Sequence, residues 1–109
     1  MFECLFCQIA SGEIPTKLLA QTENLVAFPD IHPQAPKHIL IVPKQHIESL
    51  TDLGEDQVSL LGEMALMAKQ LGEGSDFRLV MNIGPQAGQS VFHLHLHLLS
   101  GRDFSWPPG

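Results

Sequence analysis

At 109 residues and 44% apolar composition the chain can build one hydrophobic core but not two, so residues 1–109 read as a single domain. Twelve acidic against six basic side chains give a formal charge of −6, which argues against a nucleic-acid surface built on phosphate neutralisation; any phosphate must be held locally. No basic run, leader-like segment or apolar stretch near the ~20 residues of a membrane span is visible, so the expectation is a soluble cytoplasmic protein without a membrane partner.

Phe2, Leu5, Phe6 and Ile9 recur at spacings of three and four and predict a short amphipathic helix over residues 2–11, ended by Ser11-Gly12 and by Pro15. Cys4 and Cys7 fall in the same stretch. Their spacing suits a redox pair, half a zinc site or two buried thiols, and a structural disulfide is the least expected in a reducing compartment. Lys17–Gln21 and Leu25–Pro29 read as strands joined by the polar turn Thr22-Glu23-Asn24. Pro29, Pro33 and Pro36 make the next segment a rigid loop that presents Asp30 and His32. His32 there reads as a solvated loop residue.

The unbroken apolar run Ile39-Leu40-Ile41-Val42 predicts a strand over His38–Pro43 buried on both faces, with His38 as a satisfied structural histidine at its start. Glu55–Leu71 reads as the long helix, with Val58, Leu61, Met64, Ala65, Ala68 and Leu71 along one stripe. Phe77–Ile83 is a further strand and Gly84–Gly88 a turn. Then comes Phe92-His93-Leu94-His95-Leu96-His97-Leu98, which alternates histidine with large apolar residues and predicts a strand buried on one face and chemically occupied on the other. Five strands with one short and one long helix, without regular βα alternation, predict an α+β domain on a mostly antiparallel sheet.

Same-face strand neighbours lie ~6.5–7 Å apart, so His93 and His97 are separated by roughly 13 Å and cannot both bind one zinc. Neighbouring pairs can still share a metal or a substrate. A neutral imidazole with its tautomer fixed attacks phosphorus without a second base, and the same side chain can serve as general acid. Ser90 and the backbone amides of Gly88-Gln89-Ser90 lie beside the row and can form a local anion site without net positive charge.

The run from Gln89 to Leu99 resembles the signature of the histidine triad family, in which His-x-His-x-His is followed by two apolar residues. Glu13-Ile14-Pro15, Phe28-Pro29-Asp30-Ile31, Pro33-Gln34-Ala35-Pro36, Ile41-Val42-Pro43-Lys44, Gly88-Gln89-Ser90 and Trp106-Pro107-Pro108-Gly109 resemble its Hint branch, the histidine triad nucleotide-binding proteins. The resemblance implies a hydrolase of purine nucleoside 5′-monophosphate derivatives, phosphoramidates above all, acting through a nucleotidyl-histidine. It implies His95 as nucleophile, His97 as phosphate and proton partner, and Ser90 as the residue assisting departure of the amine. It also implies Asp30 on the ribose hydroxyls, Asn82, Gln89 and Ser90 by the phosphate, and Leu5, Phe6, Ile9, Phe28 and Ile31 as walls around the purine.

Some bacterial members, and the related galactose-1-phosphate uridylyltransferases, place a structural zinc on a matching Cys-x-x-Cys plus two histidines. Carried over, the resemblance implies zinc on Cys4, Cys7, His46 and His93. It further implies a homodimer built on the long helix and a sheet edge. Two alternatives accompany this reading: dinucleoside polyphosphate hydrolysis or nucleotidyl transfer, and a zinc-stabilised nucleotide-binding module whose hydrolysis is incidental.

Overall fold

The computed structural model describes residues 4–109, so Phe2 of the expected helix lies outside the described residues. Helix α1 runs over Leu5–Ser11. Its N-cap is Cys4, whose sulfur accepts from the Cys7 amide at 3.4 Å, a cap role usually taken by an oxygen side chain. Gly12 closes the other end at φ 87°, a left-handed conformation that a Cβ would oppose, and its N–H returns to the Ile9 carbonyl.

Five strands follow: β1 Ala20–Gln21, β2 Leu25–Pro29, β3 Lys37–Pro43, β4 Phe77–Val80 and β5 Leu96–Ser100. They form one sheet in the order β1-β2-β3-β5-β4, with every neighbouring pair antiparallel. Helix α2, Val58–Leu71, enters through a 3-10 turn at Glu55–Gln57. The expected α+β architecture of five antiparallel strands with a short and a long helix is therefore what the chain adopts.

The period of two divides the sheet cleanly. Leu25, Ala27, Ile39, Ile41, Leu94, Leu96 and Leu98 meet Leu60, Met64, Met67 and Ala68 of α2. Val26, Phe28, Leu40 and Val42 meet Cys4, Phe6 and Ile9 at the α1 side. With a helix on each face, β3 is buried on both, which is why its apolar run is unbroken.

Several details differ from the sequence reading, among them β1, which is confined to Ala20–Gln21 of the expected Lys17–Gln21. On α2 the buried stripe is Leu60, Met64, Met67 and Ala68, while Val58 is 56% exposed. Leu60-Leu61 and Met67-Ala68 allow two overlapping apolar stripes. Strand β4 stops at Val80, whose partner His97 is the last in register. Strand β5 starts only at Leu96, because the chain leaves β3 before it: the Leu94 amide bonds to the Ile47 carbonyl at 2.6 Å and the Pro43 carbonyl is taken by the His93 ring at 2.7 Å. The alternation of faces nevertheless persists through His93 and His95.

A histidine-lined candidate active site

Each ring of the triad is fixed by a different partner, and those partners determine where its proton sits. His95 Nδ1 lies 2.7 Å from the His93 carbonyl. A carbonyl only accepts, so Nδ1 carries the hydrogen and Nε2 carries the lone pair. His93 Nε2 lies 2.7 Å from the Pro43 carbonyl, so the His93 lone pair is on Nδ1.

His38 supplies the third constraint. Its Nδ1 accepts from the Gln34 backbone N–H at 3.0 Å, so its Nε2 holds the hydrogen and donates to His97 Nδ1 at 2.8 Å. His97 is left with its hydrogen on Nε2. Burial, then the neighbouring His95 and His38, lowers the His97 pKa to about 4 against the pull of Asp30, so the ring is neutral at pH 7. Burial likewise lowers His38 and His93. The row thus offers a lone pair at His95 and an N–H donor at His97.

His95 and His97 open into a cavity of about 540 Å³. Leu5, Phe6, Ile9, Phe28, Ile31, Asp30, Asn82 and Ser90, all anticipated from the sequence, line it together with Ile14, Pro15, Thr16, Leu40 and Val91, which were not. Phe6 meets the His95 ring edge-on with centroids 5.1 Å apart and Phe28 at 5.6 Å, so one aromatic joins the apolar wall to the triad. The stiff proline loop holds Asp30: Oδ1 accepts from the His32 amide at 2.8 Å, and Oδ2 stands 3.5 Å from His38 Nε2. His32 is exposed at the rim.

Gln89 is placed differently from its neighbours. Its side chain is buried away from the cavity lining, accepting from the Gly84 amide at 2.9 Å and donating to the Glu48 and Val91 carbonyls at 2.7 and 3.1 Å. It ties the glycine turn to the segment after β3 and so sets the position of Ser90. His38 is the satisfied, buried histidine that the sequence suggests, and its bond to His97 joins it to the triad; its parity with Leu40 and Val42, on the face of β3 that lines the cavity, is the signal for that contact.

Behind the row, Cys4, Cys7, His46 and His93 bring one donor atom each to within 4.8 Å of one another. Cys4 Sγ stands 3.3 Å from His93 Nδ1, Cys7 Sγ 3.4 Å from both His46 Nδ1 and His93 Nδ1, and the two Nδ1 atoms are 3.3 Å apart. Tetrahedral zinc, with bonds of ~2.0–2.3 Å, sets its donors ~3.3–3.8 Å apart. The residues fit the ion. Burial, with Cys4 alongside, pushes the Cys7 thiol up to about 11, a balance that a divalent cation reverses by binding thiolate.

Residues 3–105 match the family model described as "Scavenger mRNA decapping enzyme C-term binding". The crystal structure of a HIT family hydrolase from Legionella pneumophila superposes with a TM-score of 0.94 at 46% identity, covering 98% of this chain and all of that one. The chain belongs to the histidine triad family. Adenylylsulfatase HINT1 of Arabidopsis thaliana is 42% identical over 96% of this histidine triad chain and 76% of the plant protein. A zinc-bound histidine triad protein from Mycobacterium smegmatis superposes with a TM-score of 0.78 at 31% identity, covering 98% of this chain and 80% of that one.

Proposed function

We propose that this histidine triad protein hydrolyses purine nucleoside 5′-monophosphate derivatives, phosphoramidates first, through a covalent nucleotidyl-His95. The observation that carries the reading is the His95 Nδ1 bond to the His93 carbonyl, which presents Nε2 as a lone pair beside a cavity with apolar walls and a carboxylate. His95 Nε2 forms a bond to phosphorus as the P–N bond breaks, and the amine leaves past Ser90 with a proton that the Ser90 hydroxyl relays from solvent. Water then attacks phosphorus and gives up its proton to solvent, His95 departs with the electron pair, and the nucleoside monophosphate is released. His97 Nε2–H donates to a phosphate oxygen throughout, where charge develops. The name of the plant relative, an adenylylsulfatase, and that of the Legionella hydrolase support displacement at a nucleotide phosphorus.

The four-residue cluster of Cys4, Cys7, His46 and His93 would hold zinc as a structural ion, outside the chemistry. A homodimer is the assembly that fits the exposed Phe77 and Leu79 of edge strand β4 and Val58 and Leu66 of α2; a solution mass equal to one 12.0 kDa chain would exclude it. Among the described residues no helix is long and apolar enough to cross a membrane.

The test is His95→Ala. Turnover of an adenosine phosphoramidate is expected to vanish while nucleotide binding survives, and the wild type should yield an adenylylated His95 peptide by mass spectrometry after acid-free quench. Undiminished turnover by the variant would refute the assignment.

A further inference from the structure

The cavity that holds His95 adjoins a second one of about 350 Å³, the two sharing Leu5, Ser90 and Val91 in their linings. Ser90-Val91 is therefore the ridge between them. Beyond the ridge the lining is His46, Phe92, Glu48 and Cys4, so this cavity adjoins two of the four candidate zinc ligands. Phe92 is 45% exposed. Among the described residues Glu48 is the one carboxylate lining this second cavity. Its backbone is fixed, because its carbonyl accepts from Gln89 Nε2 at 2.7 Å and the flanking Ile47 and Ser49 are buried, so the exposed carboxylate projects from a rigid point.

Displacement at phosphorus expels the leaving group on the side away from the attacking nitrogen. In the reading above, which this step rests on, the nucleoside occupies the Asp30, Phe6 and Phe28 side and the amine leaves past Ser90. The far side of Ser90 is the second cavity. We propose that it is the leaving-group subsite, and that Glu48 and Phe92 select amines whose apolar chain ends in a cation. Methylenes cover the exposed Phe92 and Leu5, and the terminal ammonium faces the Glu48 carboxylate. An overall acidic chain favours the same sign of leaving group.

The test uses two adenosine 5′-phosphoramidates of nearly equal length, one made from pentane-1,5-diamine and one from hexylamine. For the wild type, kcat/KM for the diamine compound is expected to exceed that for the hexylamine compound by about three- to five-fold at low ionic strength, the range of an exposed ion pair. Salt should erode the preference. Glu48→Gln removes it and Glu48→Lys inverts it. An identical ratio in all three proteins overturns the subsite. If neither compound is turned over, the phosphoramidase reading fails on its own, and the subsite is then decided by the dissociation constants of the same two compounds in the His95→Ala background. Affinities that do not change when Glu48→Gln is added to that background overturn it.

Discussion

Two donor clusters flank His95, and they are built on opposite logic. On one side Cys4, Cys7, His46 and His93 converge, with the His93 Nδ1 lone pair aimed into the group. On the other, Asp30, His38 and His97 also converge, but the His38 N–H stands between two acceptors, His97 Nδ1 at 2.8 Å and Asp30 Oδ2 at 3.5 Å. The second cluster is electrostatically complete with one proton, whereas the first concentrates sulfur and nitrogen lone pairs that a cation would reconcile. Proximity of potential ligands is thus a poor guide to metal binding until the protons have been placed.

The comparison predicts a metal stoichiometry and a large stability effect. Protein purified without added metal should carry one zinc per chain, not two, and Cys7→Ser should lose it. At free zinc a thousand times its dissociation constant, folding should gain about 4 kcal/mol. A denaturation midpoint that ignores zinc would contradict the four-ligand site.

A smaller effect is expected on the other side. Removing the His38 donor leaves a buried acceptor on His97 unpaired, a cost of ~1–3 kcal/mol, and lets its tautomer change. His38→Ala should lower kcat roughly ten- to hundred-fold with little change in nucleotide affinity, and metal content should stay at one. Loss of zinc in that variant would show that the clusters are not independent.

The mildest probe is pH. Native His97 resists protonation down to about 4, while an unfolded histidine takes a proton near 6.5. Between those values the unfolded chain binds the extra proton, so stability rises with pH across this window and the His97 contribution is flat above it. Urea denaturation at pH 4.5, 5.5, 6.5 and 7.5 measures the slope; His97→Gln should reduce it to the share left by His38 and His93, which burial also lowers, and an unaltered slope counts against a lowered His97 pKa.

Periodicity made much of this architecture legible. Runs such as Ile39–Val42 and the His/Leu alternation encode burial directly, and the fold follows from pairing the faces they define. The stripe on α2 was less determinate because neighbouring residues were equally apolar, and packing against the sheet selected Leu60 over Val58. The start of β5 was hidden because it depends on where Pro43 and Ile47 send their carbonyls.

For the site, the residue types were readable but their protons were not. Tautomers at His93, His95 and His97 are fixed by the carbonyls of Pro43 and His93 and by the amide of Gln34, groups that no residue pattern distinguishes. Gln89 shows the converse: proximity to Ser90 in the chain suggested contact with the substrate, yet its amide serves the backbone.

Helix α1 has seven residues, too few to be stable alone, and its two faces touch different things. Cys4 and Cys7 belong to the sulfur and nitrogen cluster, while Leu5, Phe6 and Ile9 wall the large cavity. A ligand that ordered either face would prepare the other. Thermodynamic reciprocity then requires that whatever factor zinc adds to nucleotide affinity, nucleotide adds to zinc affinity. Were zinc and a nucleotide each to order α1, losing the metal would weaken the hold on the nucleotide, and a chelator would strip the metal more slowly when nucleotide is plentiful.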